Sequence, residues 1–301
     1  KKNKSRVLFT LAILTTAWTV ISASYPQGTF QAKTSKHFLW SAKSGKSTIY
    51  LLGSIHLLTK ESSLRNRTIE NAYGDSKEIV FEIDIDSLQD PAFQSKMTTL
   101  GLAPEGQSIR QYVSAQTYAW LQQRVSALGL PMESFTRLRP WLCALTLTSL
   151  ELQRLGLDPN FGVDQYFFDR AKQDGKKVSF LESVDDQLKL FTEMSKEEEE
   201  LFLAKVLMEL ETMRAKVGDM INAWKDGNTN KLASIVEQEF KDYPDIYSKM
   251  LVQRNEKWVE QIETLSKQNG NKLVIVGAAH FVGDKNVLEL LESKGFELEQ
   301  R

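Results

Sequence analysis

Residues 49–56, Ile-Tyr-Leu-Leu-Gly-Ser-Ile-His, and residues 273–280, Leu-Val-Ile-Val-Gly-Ala-Ala-His, carry one pattern twice: a short apolar run closed by Gly-x-x-His. Apolar runs of this length, bounded by turn residues, read as strands buried on both faces of a sheet. In open α/β sheets, sites form outside the carboxyl ends of the strands. Glycine at a strand end permits a tight turn or the close approach of another backbone. His56 and His280 would therefore project into one crevice if their strands are neighbours. Either imidazole alone fits a hydrogen-bonded core residue. The matched pair, in a chain with three histidines, points to a functional site. The third, His37, lies beside no comparable signal and reads as structural.

Working outward, 37–42 and 48–52 form two strands joined by a hairpin-type turn at Lys43-Ser-Gly-Lys. Residues 64–75 read as a helix, 78–85 as a strand, and 88–174 as mostly helix, with Pro140 suited to a first helical turn. A strand follows at 177–182. From Glu197 to Trp224 the apolar residues keep the spacing of one long helix. Its acidic start, Glu197–Glu200, suits a solvated helix N-terminus favoured by the helix dipole. More helix extends to about 268, then a strand at 272–276, a helix at 285–294 and a last strand at 296–299. The expectation is an α/β fold: a mostly β core with strands from both chain ends, flanked by helices, with a large helical middle. Residues 37–301 are expected as a single domain.

Carboxylates lie at the same strand ends. Alternation in Val80-Phe-Glu-Ile-Asp84 would put Glu82 and Asp84 on one strand face, and Glu182 ends the 177–182 strand. Charges at apolar strand ends are costly to bury unless paired or bound to metal. Imidazole nitrogens with carboxylate oxygens suit Zn, Mn, Co or Fe. Glu182 fits a salt bridge equally well. Asp164, near the helix start at Gly162-Val-Asp, reads first as a cap. Arg254-Asn255 reads first as a solvated helix face, although a guanidinium aimed at the site would stabilise an oxyanion. Cys143 reads as a small core residue.

Composition sets the outer bounds. The chain has 301 residues, 42% hydrophobic and 26% charged, with 16 Gly and 7 Pro. This is globular and neither fibrous nor disordered. One cysteine excludes an intramolecular disulfide and Cys-based metal clusters. A net charge of −1 argues against nucleic acid as a partner. Residues 1–24 read as a targeting segment: Lys1, Lys2, Lys4 and Arg6 precede the apolar run Val7–Ile21, and Ser22-Ala-Ser offers a cleavage point. The expectation is export to a periplasmic or extracellular location. The alternative is an uncleaved anchor over 7–23, which would be the protein's one membrane contact.

Together LLGSIHLLT (51–59), VFEID (80–84), GVDQYFFDRAKQDGKKVSFLES (162–183), QRNEKW (253–258) and VIVGAAHFVGDKNVLELLESKGFELE (274–299) resemble the TraB/PrgY/GumN family over residues 37–301. The family includes animal Tiki proteins, regarded as metal-dependent proteases that use paired Gly-x-x-His motifs and a glutamate. It also includes pheromone-shutdown proteins, and its wider superfamily is similar to erythromycin esterase and to a haem- or iron-binding protein. The resemblance carries the motif roles to Gly53 and His56, Gly277 and His280, and Glu82. Three readings follow. The first is an exported hydrolase of peptide or amide bonds using a divalent ion held by His56, His280 and Glu82. In it Glu82 is a ligand or the general base, Arg254 serves the oxyanion, and Asn255 or Asp164 orients groups. The second is a non-catalytic binder of peptide, metal or haem in the same cleft. The third is metal-free hydrolysis with His56 as general base toward water or a hydroxyl.

Overall fold

The computed structural model describes residues 36–44, 47–62 and 66–301. The hairpin turn and the 1–24 targeting segment fall outside them. Six strands form one mixed sheet: β1 (Leu39–Ser44), β2 (Ser47–Ser54), β3 (Glu78–Phe81), β4 (Lys177–Phe180), β5 (Lys272–Gly277) and β6 (Glu297–Gln300). The helices, in chain order, are α1 (Arg67–Asp75), α2 (Pro91–Gly101), α3 (Ala115–Ala127), α4 (Pro140–Arg154), α5 (Val163–Gln173), α6 (Val184–Thr192), α7 (Lys196–Glu209), α8 (Met213–Lys225), α9 (Thr229–Phe240), α10 (Pro244–Tyr247), α11 (Gln253–Ser266) and α12 (Val287–Ser293). None of the described helices is long and apolar enough to cross a membrane.

The described residues divide into two compact units. One comprises Asp86–Leu155 and Val184–Glu211 and is helical. Its core joins Trp141 of α4, Phe191 of α6 and Phe202 of α7, whose rings lie 6.0 Å apart in successive pairs. Here Glu199, expected as part of a solvated helix start, is wholly buried and pairs with Arg139. Burial pushes its carboxyl pKa up, against the pull of Arg139. The Ser195 capping box fixes the first turn of α7, and with it which of the four glutamates faces inward.

The other unit comprises 36–85, Gly156–Ser183 and Thr212–Arg301 and holds the whole sheet, in the order β4-β3-β5-β2-β1-β6. The strands β4, β3, β5 and β2 run parallel; β1 lies antiparallel to both β2 and β6. The α/β expectation holds, with strands from both chain ends side by side. β3 and β5 are buried along their whole length, as apolar central strands of a parallel sheet should be. Phe168 of α5 packs edge-on to Phe81 of β3, with ring centroids 5.4 Å apart. Register pairs Ser54 with Gly277, and Phe81 with Ile275. The parallel strands therefore deliver His56, Glu82, Glu182 and His280 beyond their carboxyl ends, at one end of the sheet.

Two boundaries differ from expectation. The 197–224 stretch is two helices, broken over Leu210–Thr212. Apolar spacing persists across the break because Leu210 and Met213 are both buried; the period records burial, not continuity. β3 stops at Phe81, so Glu82 and Asp84 lie in the bend beyond it and strand alternation does not relate them. Asp84 is half-exposed there, whereas Glu82 is buried.

Candidate active site

The segment after β2 is held from several sides. The indole Nε1–H of Trp224 donates to the Gly53 carbonyl at 2.7 Å. A Cβ on Gly53 would meet Phe38 at 2.8 Å. The Val163 N–H donates to the Ile55 carbonyl at 3.0 Å. Gly162 lies so close to His56 that a Cβ there would stand 2.3 Å from its carbonyl oxygen. The glycine at the start of α5 thus lets that helix approach the first histidine.

Asp164, in the first turn of α5, points into the site instead of capping its helix. Its Oδ2 lies 3.0 Å from His56 Nδ1, and its Oδ1 accepts from Ser54 Oγ at 2.9 Å. The nearby carboxylate favours the proton on Nδ1 and so leaves the lone pair on Nε2, although the Nδ1–Oδ2 contact is an ion-pair distance and not a well-directed hydrogen bond. That Nε2 is buried and makes no hydrogen bond; Glu82 Oε2 lies 4.0 Å away. Burial pulls the His56 pKa down, but the carboxylates of Asp164 and Glu82 outweigh it, so the pKa sits above its ordinary value.

His280 is arranged the same way with different partners. Its Nδ1 faces Asn255 Oδ1 at 2.6 Å. Asn255 Nδ2 donates to the Lys285 carbonyl at 3.0 Å, which fixes the amide orientation, so Nδ1 carries the proton. Nε2 faces the Arg254 guanidinium at 3.3 Å, and the Trp258 ring packs on the imidazole with centroids 4.3 Å apart. Burial and then the Arg254 charge push the His280 pKa well below its usual value; it is neutral.

Arg254 and Asn255 are both buried, not on a solvated face. Just before them Ser248–Val252 forms a π-helical turn, a feature frequent at functional sites. Arg254 spends all five of its N–H groups. Nε and Nη2 bond Glu182 at 3.1 and 2.7 Å, Nη2 also bonds Glu82, and Nη1 reaches the Met250 carbonyl at 2.9 Å and His280. No N–H remains for an oxyanion, so that expected role has no donor. Glu182 is a site residue and a salt bridge at once. Glu82 Oε2 also accepts from the Gly277 N–H at 3.1 Å. Burial favours its neutral form, but the Arg254 charge above all, with His56 and that N–H, outweighs it and holds its pKa at about 2.

The structure therefore brings together His56, Glu82, Asp164, Glu182, Arg254, Asn255 and His280. His37 pairs instead with Asn66, and Cys143 is buried in α4. Sequence reasoning missed Ser54 and Trp258. The first stood inside the Gly-x-x-His motif; the second stood one helical turn after Arg254, a spacing that puts two residues on one face.

As arranged, the donors do not suit a divalent ion. Among the described residues no three His, Cys, Asp or Glu side chains gather as a ligand set. Glu82 Oε1 and the His280 lone pair are both turned on Arg254.

This is an α/β protein that carries, at the carboxyl ends of its parallel strands, a paired Gly-x-x-His site tied by a buried arginine. It belongs to the TraB/PrgY/gumN family, whose model matches residues 38–300. It is similar to Uncharacterized protein YbaP of Escherichia coli, 22% identical over 85% of this chain and 93% of that one. It is similar too to Metalloprotease TIKI2 of Danio rerio, 23% identical over 87% of this chain and 60% of that protein. Metalloprotease TIKI1 of Homo sapiens is 21% identical, with 87% and 61% covered. The chain thus spans about 60% of these animal relatives. No solved structure matches.

Proposed function

We propose that the chain is a hydrolase of peptide or related carbonyl substrates, exported as its first 24 residues suggest, with His56 as general base. The observation that carries this reading is the Asp164–His56 pair, which leaves a buried Nε2 lone pair without a partner. In the step proposed, Nε2 takes a proton from water as the water oxygen bonds to the substrate carbonyl carbon. The resulting tetrahedral intermediate breaks its bond to the leaving amine or alkoxide, which recovers the proton from the imidazolium. Asp164 holds the imidazole in the required tautomer and stabilises its charged form, and Ser54 holds Asp164. Glu82 and the neutral His280 line the far side, kept in those charge states by Arg254. The names of the animal relatives support hydrolysis of peptide bonds.

A second reading, hydrolysis with a divalent ion, draws on the word metalloprotease in those names and on the same unpartnered Nε2. It requires the His280 lone pair to leave Arg254.

His56→Gln tests the first reading. Turnover of labelled casein or of p-nitrophenyl esters should fall by ~10²–10⁴-fold, with the far-ultraviolet circular dichroism unchanged. Undiminished turnover in a folded variant rejects it.

A further inference from the structure

The two imidazoles and Glu82 are the groups a divalent ion would take, yet a side chain already stands among them. We infer that the Arg254 guanidinium is the resident cation of this site, filling the electrostatic place of a metal ion, and that the wild-type chain works without one. The inference rests on the hydrolase reading for what the site does, and on its own geometry for what it holds.

A neutral imidazole has one in-plane lone pair. In His280 the Asn255 amide fixes the proton on Nδ1, so the lone pair is on Nε2 and points at Arg254 Nη1, 3.3 Å away. A zinc ion would need that same lone pair at about 2.0–2.1 Å, against an arginine that stays charged at any working pH. Glu82 is held on both oxygens, Oε1 by Nη2 and Oε2 by the Gly277 N–H, and keeps a second lone pair on each, so the bar to an ion lies at His280. Of the expected ligands only His56 presents an unpartnered nitrogen.

The guanidinium is built in from all sides. Glu182 grips it with both carboxylate oxygens. The Met250 carbonyl, within the π-helical turn, takes another N–H. The Trp258 ring stacks on it with the guanidinium carbon 4.7 Å from the ring centroid. Its side chain is 5% exposed. Swinging it out would strand Glu82 and Glu182 as buried carboxylates without their cation, an arrangement costly in a low-dielectric interior. Like an ion, it keeps Glu82 charged and His280 neutral.

The test is ion content. The purified full chain is incubated with excess Zn²⁺, Mn²⁺ or Co²⁺, desalted and analysed by plasma mass spectrometry. A parallel series measures thermal midpoints with each ion and with a chelator. The expected result is a wild type that retains none of the three ions and melts at the same temperature throughout. Arg254→Met, with Glu182→Gln added to relieve the stranded carboxylate, should gain one ion per chain and lose it again with His280→Ala. A wild type that holds one ion, lost in both His56→Ala and His280→Ala, overturns the inference. So does a folded Arg254→Met/Glu182→Gln chain that still takes no ion, because the guanidinium would then not be what excludes it. An ion-free wild type that turns over no ester or peptide refutes the hydrolase reading while leaving the arginine assignment supported.

Discussion

At the scale of single residues, the site is a set of buried polar groups that would be ruinous separately and are stable together. Arg254 is the member on which the others depend. Removing one partner of a buried, hydrogen-bonded charge cluster costs ~3–5 kcal/mol, most of it the penalty on the charges left behind. Arg254→Ala should therefore lower stability by that amount in urea unfolding, and Arg254→Lys should recover only a small part. A lysine is a point charge and cannot satisfy two carboxylates, a carbonyl and an imidazole at once. A loss below about 1 kcal/mol would mean that the cluster is held by its surroundings and not by the guanidinium. The imidazoles and Glu82 were legible from their strand-end positions. Asp164 was legible only as a cap and Arg254-Asn255 only as a solvated face, because three residues of polar sequence look alike until a partner distant in sequence, 25 positions away for Asn255 and 72 for Arg254, turns them inward.

At the scale of elements, two glycines set how closely helix and strand approach. Gly162 opens α5 against the His56 carbonyl, and a Cβ there would meet backbone, at 2.3 Å, that cannot yield without moving the histidine. Gly162→Ala should destabilise by ~1–3 kcal/mol through overpacking and should reduce activity beyond what the stability loss explains. Gly74, inside α1, has open space around it and ordinary helical backbone. Gly74→Ala should stabilise by ~0.4–1 kcal/mol, because alanine restricts the unfolded chain more than glycine does. Equal effects at the two positions, read from denaturant midpoints, would contradict the claim that Gly162 is a contact glycine. Elements with a dense apolar run, β3 and β5 above all, were readable from sequence with one- to two-residue accuracy at their starts. β5 also ends within one residue of its expected end, but β3 does not, since Glu82 and Ile83 continue the strand pattern after the ladder has stopped. The α7–α8 break is the same lesson: no glycine or proline marks it, and burial keeps the helical period going through the turn.

At the scale of the whole molecule, the chain's organisation matters more than any local propensity. A parallel sheet orders its strands by crossover, so residues near the two ends of the described chain, 56 and 280, can share one end of it. The duplicated Gly-x-x-His made this inferable, because two strands that each end in the same costly motif are most simply neighbours. The orientation of the ring nitrogens was beyond sequence. It depends on Asp164 reaching one imidazole and Asn255 the other, and so on the placement of α5 and α11 in three dimensions. The central claim rests on that orientation: Asp164 makes His56 a base with its lone pair on Nε2. The pH–rate profile of kcat/KM tests it most directly. His56 must be neutral to accept a proton, and Asp164 and Glu82 raise its pKa above the usual 6.5. Wild-type activity should therefore climb with pH through an inflection above 6.5. In Asp164→Asn that inflection should move to lower pH and the plateau should fall by ~10²–10⁴-fold, the usual worth of a positioned general base. An Asp164→Asn profile that superimposes on the wild type, in height and in midpoint, would contradict the account.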